Sequence, residues 1–320
     1  MKKILSIFTA ILLLVSITAC SVEDKGKLTF AMPDGAPTLA AFSMMDGVTD
    51  LNGYKMEYTV VSGAANIATT FTSGEADVAV MPTNVAAKLY NNGVKIKLLT
   101  VNVYGVLYMV GKTPITNFDK LYGKVVYNIG AGGTPDLALR AIFDGLNIAY
   151  EESETPIEGK VALSYVSEAS AAVAKIRQDA NVYGVLGEPV ATNCVNATGA
   201  SVVMNLQQEW KNLYDTAFPQ AGVAVSERVY NDSALVSALK GELSKNPAYI
   251  AINASKVKET IARFGSSLTV DFTAELLERC NLKCVPAKDA KTDLEAYFTA
   301  IKNYDATFIG GNLPNEGFYL

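Results

Sequence analysis

The residues most suited to holding a small molecule cluster at turns between strands and helices. Lys124–Arg140 reads KVVYN, IGAGGTP, DLALR: a short apolar strand, a glycine-rich turn and the start of a helix. Gly130, Gly132 and Gly133 let the backbone turn tightly and approach a guest closely. Thr134 is placed as an N-cap, Pro135 at the first helical position, and Asp136 where a carboxylate suits the positive helix end. Such a turn should present free N–H groups to a polar solute. The same device occurs at Asp34, Gly35, Ala36, Pro37 and Thr38. Ser62, Gly63, Ala64 and Asn66 follow a strand and open a helix, and Pro82, Thr83 and Asn84 also lie at a strand end. These positions suit ligands in open α/β sheets. For each, local capping or an ordinary tight turn is the alternative to ligand contact. Asn102 and Tyr104 fall on a long extended stretch, where Tyr104 either stacks on a planar ligand or simply packs. Glu188, at a helix start, either receives a ligand amine or ring N–H or complements the helix dipole. Gln220 is the matching candidate on a later strand.

Other chemistries are excluded or weakened. The turn at Gly130–Asp136 is followed by no GK[ST] and matches no clean dinucleotide fingerprint. The chain has no histidine, which removes imidazole bases and histidine-ligated zinc. No metal site and no cofactor are expected. Cys194 sits in an Ala/Val-rich helix as a small apolar residue. Cys280 and Cys284, four apart, are either a disulfide or two free thiols. Arg140, four residues after Asp136, reads as its helical ion-pair partner, and Trp210 as packing. A helix N-terminus stabilises an anion by about 0.3–2 kcal/mol, and an aromatic stack adds about 0.5–1.5 kcal/mol. Micromolar affinity needs about 8 kcal/mol, so no single turn suffices and the solute must be enclosed from two sides.

The elements that would carry these residues alternate. Strands are read at Lys27–Met32, Lys55–Val61 and Val78–Met81, and helices at Thr38–Asp46, Ala64–Ser73 and Thr83–Asn91. Ile96–Val110 is one long extended stretch interrupted by Gly105, which suggests a crossing between lobes. Further strands are read at Lys124–Asn128, Ala162–Val166, Tyr183–Leu186, Ser201–Asn205 and Gln220–Val225, with helices at Asp136–Leu146, Ala169–Gln178, Pro189–Asn196 and Leu206–Tyr214. From Asn231 to Ala306 the chain reads as almost wholly helical, with breaks near Pro247, Gly265 and Pro286. Two internal echoes support a two-lobed plan: Lys27–Met44 repeats in Lys124–Arg140, and Val61–Thr83 repeats in Val166–Glu188. Continuous apolar strands between helices predict an α/β fold of two lobes with mostly parallel sheets, joined by two crossing segments. Lobe 1 is discontinuous, 27–108 plus 222–320, and lobe 2 is 109–221.

At 320 residues and 50% hydrophobic, the chain can bury two ordinary cores. Its net charge of −5 and 18% charged residues argue against nucleic acid as a partner. Met1–Ala19 has Lys2 and Lys3 followed by an apolar run, the pattern of a secretory signal peptide. Ile17-Thr18-Ala19-Cys20 resembles the lipobox of bacterial lipoproteins, which implies lipidation at Cys20, a tether over 20–26 and membrane anchoring.

Taken together, PDGAPTLAAFSMM, SGEADVAVMPTNVAAKLYNNG, KVVYNIGAGGTPDLALR, GVLGEPVAT and LQQEWKNL followed by FPQAGVAVSE resemble the substrate-binding lipoproteins of bacterial ABC importers. The branch is that of nitrate-, sulfonate-, taurine- and thiamine-precursor-binding proteins. The resemblance covers nearly all of the chain beyond the signal segment. It implies a type II periplasmic-binding fold, a monomer that closes on a solute between lobes, and an ABC permease with its ATPase as partners. It leaves the ligand open among a sulfonate, a nitrate-like anion and a thiamine-precursor-like heterocycle. The rival readings are an enzyme on the same fold, thiaminase-like or pyrimidine-forming, and a sensory lipoprotein without transport. The pyrimidine-forming relatives use histidine, which this chain lacks, and Cys194 has no evident base to activate it.

Overall fold

The computed structural model describes residues 24–320. The signal segment and Cys20 lie outside the described residues, as does the start of the tether.

Two sheets organise the chain. The first contains β1 (Lys27–Pro33), β2 (Asp50–Leu51), β3 (Tyr54–Val61), β4 (Val78–Pro82) and β5 (Ile96–Val103). The second contains β6 (Leu107–Gly111), β7 (Val125–Ile129), β8 (Tyr150–Glu152), β9 (Val161–Val166), β10 (Val182–Gly187) and β11 (Ser201–Asn205). The chain then returns to the first sheet with β12 (Ala221–Ser226) and β13 (Leu282–Pro286). The strand orders are β13-β5-β12-β4-β1-β3-β2 and β11-β6-β10-β7-β9-β8.

Each sheet has a parallel block, β3-β1-β4 in one and β9-β7-β10 in the other, flanked by an antiparallel strand, β12 against β4 and β6 against β10. The sequence echoes therefore fall on equivalent elements: β1 and β7 are the central strands, and each second echo runs from the end of β3 or β9 to the residue after β4 or β10. β4 (VAVMP) is buried along its whole length, as a strand covered on both faces must be.

The extended stretch Ile96–Val110 is two strands in different sheets, β5 and β6, with the exchange at residues 104–106. The second exchange runs through residues 206–220, which include helix Leu206–Tyr214. Helix Thr38–Asp46 is observed as two pieces, Ala36–Leu39 and Phe42–Gly47. The N–H groups of Ala40 and Ala41 bond back three residues, to Pro37 and Thr38, which tightens and ends the first piece. Pro247 lies inside helix Ser233–Ile252 rather than breaking it. Buried Leu243, Asn246 and Ile250 pack that turn, and the Asn246 amide bonds Leu39 O at 2.9 Å and Ser43 N at 2.8 Å, offsetting the lost backbone bond. The block after Asn231 also contains β13, paired antiparallel with β5.

The buried side chains form one core shared between the sheets and two that are not. The shared core lies under helices Ala64–Thr72, Thr83–Asn91 and Lys291–Asp305 on the first sheet and helices Thr134–Gly145 and Leu206–Tyr214 on the second. On the opposite face, each sheet has a separate core.

Candidate functional site

Five parallel strands deliver their carboxyl ends to turns that the sequence singles out: β1 to Asp34–Gly35, β3 to Ser62–Gly63, β4 to Thr83, β7 to Gly130–Gly133 and β10 to Glu188. The two sets of turns meet. The Thr134 hydroxyl donates to Asn84 Oδ1 at 3.4 Å, and both side chains are buried. Gly132 lies against Phe308, so close that a Cβ there would stand 2.5 Å from the ring. The structure thus brings Asn84 of the first lobe to Thr134 of the second, and Phe308 of the first to Gly132.

The glycine turn is more self-contained than its sequence suggests. Gly132 N donates to Asp136 Oδ2 at 2.8 Å, and Gly133 N to Gly130 O at 3.1 Å, so these amides are not free for a guest. The helix spans Thr134–Gly145 with Gly133 at the cap position, and the Thr134 hydroxyl serves Asn84 instead of capping. Asp136, only 1% exposed, also accepts from Arg140 Nε at 2.9 Å and from the Tyr165 hydroxyl at 2.9 Å. It therefore holds the turn and cannot face solvent. Arg140 makes the expected ion pair, bonds Tyr165 and Glu152 as well, and lies 5.2 Å from the Tyr304 ring centroid. Burial, then the Asp136 charge, push the Tyr165 phenol well above its ordinary range. What remains for an anion is the end of the helix itself, where the first N–H groups lack intrahelical partners.

In the first lobe, Asp34 is taken up by a neighbouring loop. Its carboxylate accepts from the Ser266 hydroxyl at 2.6 Å, the Ser267 hydroxyl at 2.6 Å and Ser267 N at 2.8 Å. Gly35, Ala36 and Pro37 turn the chain into helix Ala36–Leu39, and the buried Thr38 hydroxyl returns to Pro33 O at 2.9 Å. Ser62, Gly63 and Asn66 are exposed, with Gly63 at the cap position of the helix that Ala64 opens. Asn66 Nδ2 donates to Ser62 O at 2.6 Å. Pro82 is buried, and Thr83 is tied to the second crossing: its hydroxyl bonds Pro219 O at 2.6 Å and its N–H bonds Gln220 O at 3.1 Å.

At the crossings, side-chain amides replace strand pairing. Gln220 Oε1 accepts from Val106 N at 2.9 Å, Gln207 Oε1 accepts from Leu107 N at 2.8 Å, and Asn281 Nδ2 donates to Gly105 O at 2.7 Å. Gln220 is therefore engaged with the backbone. Asn102 is buried, accepting from the Thr100 hydroxyl at 2.7 Å. Tyr104 is buried with its hydroxyl unpartnered, and burial, then Asp293, raise its phenol. Glu188 is buried on Thr192 and Arg279, and its position near Tyr108, after burial, helps push that phenol up to about 12. Gln207, Arg279 and Asn281 were not singled out by sequence. Polar residues scattered through helical stretches carry no spacing signal, and only tertiary structure brings them to the crossing.

Cys194, Cys280 and Cys284 are free thiols. Burial raises all three, moving them away from the thiolate form that a nucleophile needs. Among the described residues no cluster of three His, Cys, Asp or Glu is placed to hold a metal, and no helix is long and apolar enough to cross a membrane.

No protein-family model matches the sequence, and no curated protein matches it. Solved structures do share its fold. An ABC transporter from Parabacteroides distasonis is 22% identical with a TM-score of 0.77, the match covering 92% of this chain and 98% of that one. The periplasmic aliphatic sulphonate binding protein SsuA from Escherichia coli is 11% identical with a TM-score of 0.69, over 92% and 97%. The CA3427 gene product of Candida albicans, described as exhibiting the generic periplasmic binding protein structural fold, is 14% identical with a TM-score of 0.59, over 91% and 98%. The chain has the periplasmic binding protein fold.

Proposed function

We propose that this chain is an extracytoplasmic solute-binding lipoprotein. Anchored through lipid on Cys20, it captures a small polar molecule between its lobes and delivers it to the permease and ATPase of an ABC importer. The observation that carries this reading is the meeting of Thr134 with Asn84, which sets the carboxyl-end turns of two parallel blocks against each other. In this reading a solute held there is enclosed from both sides by helix N-termini, hydroxyls and amides, the enclosure that micromolar affinity calls for. The fold shared with a sulphonate binding protein and an ABC transporter supports the same direction.

The solute class that fits is a small neutral or singly charged polar molecule: a sulfonate, a nitrate-like anion or a thiamine-precursor-like heterocycle. The contacts proposed for it are the Thr134 end of its helix, Ser62–Asn66, Asn84 and Tyr104, with Thr83 tied to the second crossing beneath them. Asp34, Asp136, Glu188 and Gln220 act behind them, holding the turns and the crossings. The raised thiols weigh against a cysteine-nucleophile enzyme on the same fold. A melting-temperature panel over sulfonates, nitrate and pyrimidines, with the incubated compounds analysed afterwards by mass spectrometry, tests the proposal. A stabilising compound recovered unchanged supports a binder; turnover, or no stabilisation by any compound, overturns it.

A further inference from the structure

The boundary between the lobes differs on its two faces. On one face, Trp210 and Phe218 of the second crossing pile on Tyr297 of helix Lys291–Asp305, with ring centroids 5.0–5.6 Å apart. Tyr214, its ring tilted against Trp210 with centroids 4.2 Å apart, bonds Ala141 O of helix Thr134–Gly145 at 2.9 Å, and Asp293 accepts from Ala217 N at 3.0 Å. This side belongs to the single core that runs through both sheets. A large hydrophobic boundary of that kind restrains relative movement of the units it joins.

On the other face the cores are separate, and a polar groove of about 580 Å³ divides them. Thr192, Asn193 and Asn196 of the second lobe line one wall, and Thr269, Asp271 and Thr273 of the first lobe line the other. One cation spans it. Arg279, on helix Ala274–Arg279 of the first lobe, bonds the Glu188 carboxylate and the Thr192 hydroxyl of the second, and its guanidinium lies 5.6 Å from the Tyr108 ring centroid. Its backbone carbonyl also accepts from the Tyr108 hydroxyl at 3.1 Å. Glu188 has a fully buried side chain, and Thr192 N and the Thr192 hydroxyl are its other donors.

We propose that Arg279 is the positioning residue for lobe closure: it latches the polar face shut on Glu188 and Thr192, while the aromatic pile on the opposite face acts as the fulcrum. The lobes then part on one side only, and the strength of the latch sets the closed fraction. For the solute-binding reading on which its functional meaning rests, apparent Kd rises in inverse proportion to the competent fraction, although Arg279 need not touch the solute.

The test reads geometry without any solute. Spin labels introduced as unnatural amino acids at Ala197 and Thr269, both exposed, report the groove in the full chain; a second pair at Asp144 and Asn303 reports the aromatic face. Pulsed dipolar spectroscopy of Arg279→Met should show a longer-distance population for the groove pair and an unchanged Asp144–Asn303 distance. Thr192→Val should move the groove pair the same way by less, and serves with Arg279→Lys if the methionine variant does not fold. Groove distances identical in the unsubstituted chain and these variants, or equal widening of both pairs, would overturn the latch. Failure to find a solute would sink the proposed function yet leave this result standing.

Discussion

Replacing Gly105 by alanine attacks the first crossing at its tightest point. Gly105 has φ +71°, and a Cβ there would stand 2.7 Å from Gln207 Cβ and 3.0 Å from Gln207 Oε1. A side chain in the left-handed region costs about 1–2 kcal/mol. The clash also drives Gln207 from Leu107 N, which it accepts from at 2.8 Å, and an orphaned buried N–H costs about 1–3 kcal/mol. Gly105→Ala should therefore destabilise by about 2–5 kcal/mol, while Gln207→Ala alone loses only the second part. The double variant should cost no more than Gly105→Ala, a coupling of about 1–3 kcal/mol. Urea unfolding followed by the fluorescence of the single tryptophan, Trp210, measures all of these. Additive losses, or a Gly105→Ala cost within about 0.5 kcal/mol as at an ordinary surface site, would refute the reasoning.

Asp136→Ala should cost about 3–5 kcal/mol by stranding the buried Arg140, read as a lowered urea midpoint. Trp210→Ala empties the centre of the aromatic pile and should cost about 3–5 kcal/mol by circular dichroism. The Asp46 carboxyl is held below its ordinary 3.8 chiefly by the Tyr249 hydroxyl, with Thr260, Lys256 and Arg263 adding and burial opposing. A depressed carboxyl stabilises the fold above its unfolded value and loses that contribution as pH falls through the folded value. Stability should thus decline below about pH 4, and Asp46→Asn should flatten that limb of the pH–stability curve. Thiol labelling should reach partly exposed Cys284 before buried Cys280, whereas equal rates in the folded chain would contradict the packing.

Much of the architecture was legible where local pattern and tertiary environment agree. Helices Thr83–Asn91, Ala169–Gln178 and Leu206–Tyr214 and strand Ser201–Asn205 have the bounds their sequence implies. The paired echoes pointed to matching central strands because β1 and β7 face the same demand, a buried strand feeding a tight turn. β13 was hidden because a five-residue, half-exposed edge strand inside a helical block carries no alternation strong enough to compete. The glycine turns were visible, but the partners of their amides were not: Gly132 N finds Asp136 four residues on, while Asp34 finds Ser266 and Ser267 across the chain. The amides of Gln207, Gln220 and Asn281 acquire their role only when separate segments converge on residues 104–107.

Native mass spectrometry of the protein purified from its own host tests the solute clamp most directly. The account predicts a fraction carrying one small polar molecule, released intact on unfolding and diminished when Thr134 and Asn84 are both replaced by alanine. A bare chain that gains no mass with any sulfonate, nitrate or heterocycle offered, or a bound molecule indifferent to those two substitutions, would contradict it.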